Sequence, residues 1–355
     1  MSIDELLKVA VQKRASDLHL TVGLPPQLRI DGALTSLPGT PLNEEQSRAL
    51  AYQMLPPHEI ARFEQAKELD TAYGIRGLCR FRVNLYYQRG SVAAAIRLIP
   101  FEIPSLRELG LPPILEDFSN SPSGLFIVSG PTGCGKSTTI AAMIESINHQ
   151  RNCHIISVED PIEYLHRHKK STVNQRELGV DTHSFQEALR HIVREDPDVI
   201  MIGEMRDLET MSAALTLAET GHLVLTTLHT SDAVHAIQRI TDIFPPHHQD
   251  QIRLQLSLVL VGIVVQQLLP KATGEGRVLA YEVMAATPSI GNLIRENQLQ
   301  QLRSVLQTGK KSGMCTMNHS FVELFQRGLV TWEEIARRST DMEELANLVK
   351  SATKH

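Results

Sequence analysis

A glycine-rich run followed by lysine and serine is the most specific chemical pattern in this sequence. Residues 130–138 read GPTGCGKST, behind the strand-like run LFIVS at 125–129 and ahead of a helical pattern. In such a loop backbone N–H groups turn towards phosphate, the lysine reaches the β and γ oxygens, and the serine hydroxyl can bind Mg²⁺. The predicted nucleotide-phosphate site consists of Gly130, Pro131, Thr132, Gly133, Cys134, Gly135, Lys136, Ser137 and Thr138.

Two acidic segments follow strand-like runs and provide candidate catalytic carboxylates. The run at 198–202 is followed by Glu204, which we predict to be a Walker B residue that binds Mg²⁺, directly or through water. The run at 155–158 is followed by Glu159, Asp160 and Glu163. One carboxylate is enough to position or deprotonate a water molecule, so spacing does not choose among these three. The alternative is that all of them are solvated loop residues.

Two histidines, His222 and His229, flank the next strand-like run at 223–227. A histidine in an arbitrary position is usually an ordinary core or surface residue. Because these two lie at the ends of a further central strand, we predict that they act as γ-phosphate sensors or as couplers between subunits.

A cluster of arginines occupies a segment without acidic residues or lysine. Between Thr71 and Pro100 the sequence has no Asp, Glu or Lys, and its arginines are Arg76, Arg80, Arg82, Arg89 and Arg97. The segment could bind nucleic acid, contact the nucleotide of a neighbouring subunit, or form an ordinary solvated strand face. The residues alone leave these three interpretations open.

The composition indicates a folded chain of two domains. The chain has 355 residues, of which 42% are hydrophobic, and its formal charge of -5 gives no overall attraction to nucleic acid. The four cysteines form no CxxC pair, so we expect no zinc site. The amino-terminal residues have the period of an amphipathic helix, and the apolar tract at 254–269 is expected to be a buried core segment.

The order of patterns predicts an α/β fold in two parts. Residues 1–99 form a small α/β domain with a hairpin over 80–88 and 92–98, and residues 100–113, which contain four prolines, form a linker. In 114–355, strand-like runs alternate with helical segments, which predicts a parallel sheet wrapped by helices. From about residue 288 the pattern is mostly helical.

Four motifs together resemble the secretion ATPase superfamily of type II secretion and type IV pili. They are GPTGCGKSTT (130–139), ISVEDPIEY (156–164), REDPDVIMIGEMRD (194–207) and TGHLVLTTLHT (220–230), and they look like its Walker A motif, Asp box, Walker B motif and His box. The segments RASDLHL (14–20), RFRVNLYYQRG (80–90) and AIRLIP (95–100) look like its amino-terminal domain.

This resemblance implies a PAS-like amino-terminal domain and a RecA-like P-loop ATPase domain in a ring hexamer that binds ATP and Mg²⁺ between subunits. It implies that Glu163 is the catalytic glutamate and Glu204 the Walker B residue. It also implies that Arg80, Arg82 and Arg97 face the nucleotide.

The carboxyl-terminal segment QTGKKSGMCTMNHSFVELFQRGLVT (307–331) resembles the branch of the family that retracts pili. The signature of that branch, AIRNLIRE, appears here as SIGNLIRE at 289–296. Extension and type II secretion motors usually carry an additional amino-terminal region and a tetracysteine zinc element, neither of which we expect here. The resemblance implies a location at the cytoplasmic face of the inner membrane, where the hexamer would act on the pilus platform protein, and a paralogue as a further partner.

Other functions remain as alternatives at this point. Within the family they are an accessory role beside a retraction motor, pilus extension and type II secretion. Outside it, a nucleic-acid translocase of RecA-like fold would show hydrolysis strongly stimulated by DNA, although we expect no nucleic-acid partner. A regulatory ring that binds nucleotide without turnover would not need the acids at 159–163 and 204.

Overall fold

The computed structural model describes residues 2–30, 32–75, 78–99 and 102–352. Arg76 and Pro100, which belong to the predicted arginine cluster and linker, lie outside these ranges. The chain divides into two compact units: Met1–Glu102 with Glu163–Leu165, and Ile103–Ile162 with His166–His355.

The first unit is an antiparallel sheet with helices, in the strand order β3-β2-β1-β6-β5-β4. Its predicted amino-terminal helix is present and begins with a capping box between Ser2 and Glu5. The elements of this unit are α1 (Ile3–Gln12), β1 (Asp17–Leu20), β2 (Gln27–Ile30), β3 (Ala33–Ser36), α2 (Glu44–Tyr52), α3 (Pro57–Ala66), β4 (Glu68–Ile75), β5 (Cys79–Gln88) and β6 (Ser91–Ile99).

Strands β5 and β6 form the hairpin that the alternating pattern predicted. Phe81, Val83 and Leu85 point into the core of the first unit, which places Arg80 and Arg82 on the opposite face. The turn uses Arg89 and Gly90, both with positive φ, which matches the twist of a two-residue hairpin.

The second unit contains a largely parallel sheet in the order β13-β12-β7-β11-β10-β8-β9, and within the described part of this sheet only the pairing of β12 with β13 is antiparallel. Its strands are β7 (Gly124–Ser129), β8 (His154–Glu159), β9 (Thr172–Glu177), β10 (Val199–Ile202), β11 (Leu223–Leu228), β12 (Leu260–Pro270) and β13 (Arg277–Ala285). Every residue of β7 and β11 is buried, as expected for central strands covered on both faces.

The helices of the second unit cover the sheet and build the tail. They are α4 (Ile114–Ser119), α5 (Lys136–Gln150), α6 (Phe185–Ile192), α7 (Leu208–Glu219), α8 (Ala233–Asp242), α9 (Gln249–Val259), α10 (Pro288–Arg295), α11 (Leu302–Thr308), α12 (Met317–Gln326), α13 (Trp332–Arg338) and α14 (Met342–Ala352), with 3-10 turns at Val193–Glu195, Pro246–His248, Leu299–Gln301 and Gly309–Ser312. The predicted helical tail is therefore present, and its last helices pack around Phe321 in a small apolar cluster that also contains Leu269 of β12 and Ala280 of β13.

Three features differ from the expectations. Residues 103–113, which we predicted to be linker, place Leu106 and Leu111 in the core of the second unit. The tract 254–269 is divided between α9, whose Leu258 is 68% exposed, and the buried strand β12. Strands β9 and β13 had no clear sequence signal, because both lie at edges of the sheet and carry polar residues.

Within residues 2–30, 32–75, 78–99 and 102–352, no helix has the length and apolar character needed to cross a membrane.

Candidate active site

The glycine-rich loop leads from β7 into α5, so that Lys136 is the first residue of that helix. Gly130 has a φ of 138°, and a Cβ atom at this position would lie 2.4 Å from the backbone oxygen of Gln266 on β12. Any side chain would therefore collide with the backbone of the neighbouring strand. The close packing of β7 and β12 thus fixes the residue type at the start of the loop.

The other residues of the glycine-rich loop differ in their burial. Pro131, Thr132 and Gly133 are exposed, whereas Cys134 is buried beneath them. Burial raises the pKa of the Cys134 thiol, which makes it a packing residue in the described structure. Gly135, Ser137 and Thr138 are half-buried at the start of α5, and the amino-terminal end of a helix favours an anion.

The Lys136 ammonium is held over its own loop. Its Nζ atom donates hydrogen bonds to the backbone oxygens of Gly130 (2.8 Å) and Pro131 (3.1 Å), and it lies 3.3 Å from Nδ1 of His229. An ammonium group can only donate, so Nδ1 of His229 accepts from it and the Nε2–H group is left to donate elsewhere.

His229 joins the lysine to the Walker B candidate. Its Nε2 atom lies 3.3 Å from Oε1 of Glu204, and the same carboxylate oxygen lies 2.6 Å from Nε of Arg206. Burial opposes the ionisation of Glu204, but Arg206 and His229 together hold its pKa below the usual value. Glu204 is therefore a carboxylate at neutral pH, and a chain of polar contacts runs from Lys136 through His229 and Glu204 to Arg206.

Backbone contacts position the two loops that carry His229 and Glu204. The Ser129 hydroxyl, at the end of β7, accepts a hydrogen bond from the backbone N–H of Thr230 at 2.8 Å. The Thr227 hydroxyl donates to the backbone oxygen of Gly203 at 2.7 Å. The ends of β7, β10 and β11 are thus tied together beside the phosphate loop.

The acids after β8 have different environments. Glu159 is buried and accepts hydrogen bonds from the Ser157 hydroxyl (2.6 Å) and the Gln175 amide (3.0 Å), so it serves the local structure. Asp160 is exposed, and with Glu204, the larger influence, it raises the pKa of Arg206. Glu163 is also exposed.

A buried carboxylate fixes the segment that leads to Glu163. The Glu177 side chain accepts a hydrogen bond from the backbone N–H of Ile162 at 3.2 Å. This contact anchors the residue directly before Glu163. Spacing did not indicate Glu177, because it lies 15 residues away along the chain.

The structure separates His222 from the other site residues. His222 precedes β11, and its Nδ1 atom lies 2.9 Å from the backbone oxygen of Leu217. His229 follows the same strand, whose six residues span about 20 Å. His222 therefore does not reach Lys136, and its role as a subunit coupler stays a prediction.

The predicted nucleotide-facing arginines lie on one polar sheet face of the first unit. Arg82 pairs in register with Arg97, and Arg97 pairs with Asp17. Nε of Arg97 lies 3.0 Å from Asp17, yet 68% of the Arg97 side chain is exposed. Arg80 lies two residues before Arg82 on the same face. Their assignment to a nucleotide stays a prediction.

Arg206 is the site residue that sequence reasoning missed. It lies inside the motif REDPDVIMIGEMRD, but an arginine two residues after an acid has no distinctive spacing signal. Its contact with Glu204 could have been considered, because both residues follow the same strand and precede α7.

Comparisons with known proteins identify the family of this chain. The model of the family described as "Type II/IV secretion system protein" matches residues 1–337. In Pseudomonas aeruginosa, the type IV pilus retractation ATPase PilT is 44% identical over 96% of this chain and 98% of its own length, and the type IV pilus ATPase PilU is 41% identical over 99% and 92%. A crystal structure of the pilus retraction motor PilT with bound ADP has a TM-score of 0.92 and 50% identity, over 98% of this chain and 99% of that chain. The chain therefore belongs to the type II/IV secretion system protein family, as its four motifs predicted.

Proposed function

We propose that this chain is an ATP-hydrolysing motor subunit that drives type IV pilus retraction and hence twitching motility. One observation carries the enzymatic part: Lys136, His229 and Glu204 are linked by contacts of 3.3 Å beside a glycine-rich loop, at the carboxyl ends of central strands. The relatives PilT and PilU support the pilus assignment.

The site residues divide the chemistry of phosphoryl transfer among them. When ATP binds, Lys136 exchanges the backbone oxygens of its loop for phosphate oxygens, where its charge stabilises the transition state. Glu163 orients the attacking water, and His229 relays the position of Lys136 to Glu204.

The donor set of the site fits Mg²⁺. The Ser137 hydroxyl and the ionised carboxylate of Glu204 are hard oxygen ligands, which Mg²⁺ prefers, and water completes such sites. A bound ion would supply positive charge that stabilises the phosphate oxygens during transfer. Ser137 would hold it directly, and Glu204 would do so directly or through water.

The motor works as a ring hexamer with ATP between subunits. Arg80, Arg82 and Arg97 of one subunit face the nucleotide of the next, where guanidinium groups stabilise developing charge on the phosphate. Domain closure at each boundary drives the inner-membrane platform protein of the pilus from the cytoplasmic face.

The first test is ATP hydrolysis by protein separated by size, with the Glu163→Gln variant beside the wild type. We expect a hexamer-sized species that hydrolyses ATP, a variant without turnover, and no response to DNA. Full activity of Glu163→Gln would contradict the assignment of this residue, and strong stimulation by DNA would favour a nucleic-acid translocase. Deletion of the gene, followed by imaging of surface pili, tests direction: long non-retracting pili mean retraction, whereas bald cells mean extension.

A second candidate is an accessory motor that acts beside a retraction paralogue. The observation that favours it is Gly291 on α10, which stands where the retraction signature has arginine. A Cβ atom at Gly291 would lie 3.1 Å from the backbone oxygen of Ser257 on α9, so these helices pack more closely than a side chain easily permits. An accessory motor predicts that deletion leaves retraction intact when the paralogue is present and weakens it under load.

A further inference from the structure

A buried carboxylate outside the phosphate site connects two helices of the second unit. Glu282 lies on β13, and its side chain is almost completely buried. Its Oε1 atom accepts a hydrogen bond from the backbone N–H of Ala233, the first residue of α8, at 2.8 Å. The backbone N–H of Met317, the first residue of α12, also favours the charged carboxylate. Glu282 therefore ties the start of α8 to β13. The neighbouring residues of β13 contact the tail directly: the backbone N–H of Tyr281 donates to the Ser320 hydroxyl on α12 at 3.1 Å, and the backbone N–H of Val283 donates to the backbone oxygen of Cys315 at 2.9 Å.

The side-chain caps of α8 and α12 do not bind the N–H groups of Ala233 and Met317, the first residues of these helices. The first N–H groups of a helix have no partner within it. Asp232 caps α8 through the N–H of His235, and Thr316 caps α12 through the N–H of His319. The N–H groups of Ala233 and Met317 remain, and the positive ends of both helix dipoles favour a negative charge between them.

The α8 side of this connection leads directly to the phosphate site. Three residues separate Ala233 from His229, which lies against Lys136 and Glu204. This short loop is held at one end by Ser129, which accepts from Thr230, and at the other end by Glu282. A displacement of His229 must therefore strain one of these two attachments.

We infer that Glu282 is a positioning residue that couples His229 to the helical tail. Nucleotide that draws Lys136 from its contacts in the described structure shifts His229 and the start of α8, and Glu282 passes this shift through β13 to α12. The inference rests on the nucleotide site of the proposed function, but it assigns a residue outside that site.

The ionisation of Glu282 gives a second way to test the coupling, because it changes with pH. Burial raises the pKa of Glu282 to about 7, and the backbone N–H groups of Ala233 and Met317 oppose this rise. The charged groups that face it are Asp232, which raises the pKa, and Arg303, which lowers it, with the Cys315 thiol close by. Above its pKa the carboxylate can accept from both helices; below it, the added proton removes part of this capacity.

The helical tail contains a tryptophan whose fluorescence can report a movement of α12. Trp332 is the single tryptophan of the sequence, and it begins α13. Its ring lies 6.2 Å from the ring of Phe325 on α12, measured between centroids. A shift of α12 therefore changes the surroundings of Trp332 and its fluorescence emission.

The experiment measures Trp332 emission of the full chain as ADP with Mg²⁺ is added, while a fluorescent ADP analogue reports binding separately. We expect a nucleotide-dependent change in the wild type that is larger at pH 8 than at pH 6. Glu282→Gln should bind the analogue, lose most of the Trp332 change at both pH values, and have a kcat lower by about 10-fold.

Met317→Pro tests the same link without touching Glu282. It removes the tail N–H group at the first position of α12, where proline is tolerated, and it should also lose the Trp332 change. Glu344→Gln is the matched control, because Glu344 accepts hydrogen bonds from Thr316 and Asn318 inside the tail and Glu282 contacts a different element, α8. It should keep the wild-type response.

The outcomes separate the inference from the proposed function. A full Trp332 change in Glu282→Gln, or loss of the change in Glu344→Gln, would overturn the coupling role. A wild type that binds the analogue without any Trp332 change would overturn it as well. A wild type that does not bind the analogue would contradict the proposed function and this inference together.

Discussion

In the parallel sheet of the second unit, the strands begin on one side, here called the amino edge, and end on the opposite side, here called the carboxyl edge. The two sides carry the same types of residue but use them differently. At the carboxyl edge, Lys136, His229, Glu204 and Arg206 contact one another through their side chains. At the amino edge, Asp198, His154 and His222 contact the backbone, and the His154 ring also contacts the amide of Asn174. The role of a side chain in this sheet therefore depends on the group that it contacts and not on its residue type. Side chains that contact one another form the candidate active site, whereas those that contact the backbone support the structure.

The amino edge shows this structural use clearly. Asp198 accepts a hydrogen bond from the backbone N–H of His154 at 2.8 Å, and the His154 ring lies 3.0 Å from the backbone oxygen of Asp196. His222 makes the same kind of contact with the backbone oxygen of Leu217. These groups complete the backbone hydrogen bonding of strand starts, so their loss should affect stability before turnover.

The sharpest comparison uses the two cations at opposite ends of α5. Lys136→Ala removes the ammonium beside His229, and we expect kcat to fall by at least about 100-fold, since electrostatic stabilisation of a transition state depends on it. Arg151→Ala removes the cation that follows the far end of the same helix, where Nη1 donates to the backbone oxygens of Ser119, the last residue of α4, and Ser121. Steady-state ATPase assays and thermal melts on both variants check this.

We expect Arg151→Ala to melt earlier and to retain its turnover. Equal losses of activity in the two variants would remove the distinction between the edges.

The second comparison uses two carboxylates at opposite ends of β10. Glu204→Gln keeps the size of the side chain but removes its charge beside His229 and Arg206, and we expect about a 100-fold loss of kcat with nucleotide binding better preserved than in Lys136→Ala. Asp198→Asn makes the same change at the amino edge, where the amide oxygen can still accept from His154. Its kcat should stay close to that of the wild type. Single-turnover assays with a parallel binding measurement distinguish the two results.

The sequence was informative wherever function depends on local pattern. The glycine-rich loop, the strands at 125–129 and 155–158 and the helical tail were all predicted, because apolar runs and turn residues specify them locally. The acid Glu204 was selected because the carboxyl end of a strand is a known position for such residues.

Pattern failed where a contact joins residues far apart along the chain. Spacing treated His222 and His229 alike, although the direction of a parallel strand puts only His229 beside Lys136. Glu282 lies 49 residues from Ala233, so no local period could relate them. Strand β9 reads TVNQRE and is recognised only by its pairing with β8.

A smaller effect is expected from the two histidines that flank β11. His229→Asn interrupts the link between Lys136 and Glu204, and a hydrogen bond to a charged group contributes enough that we expect about a 10-fold loss of kcat. His222→Asn should reduce stability slightly and leave kcat near the wild-type value. The ratio of the two kcat values, measured under saturating ATP, checks the comparison; a ratio near one would show that His229 does not serve the reaction.

The smallest loss of kcat should come from a substitution of Ser129. This variant tests whether the importance of a residue for turnover depends on its position at the carboxyl edge or on the group that its side chain contacts. Ser129 lies at the carboxyl edge, but its hydroxyl contacts Thr230, whose backbone N–H donates to it at 2.8 Å. If the contacted group determines the effect, Ser129→Ala should lower the unfolding free energy by about 1 kcal/mol, the usual contribution of one hydrogen bond. It should also reduce kcat less than His229→Asn does. Denaturant unfolding and ATPase assays on this variant measure both quantities. A loss of kcat as large as that of Glu204→Gln would mean that position at the edge matters more than the partner, because the loop that carries His229 would then depend on Ser129 as strongly as on its own charged contacts.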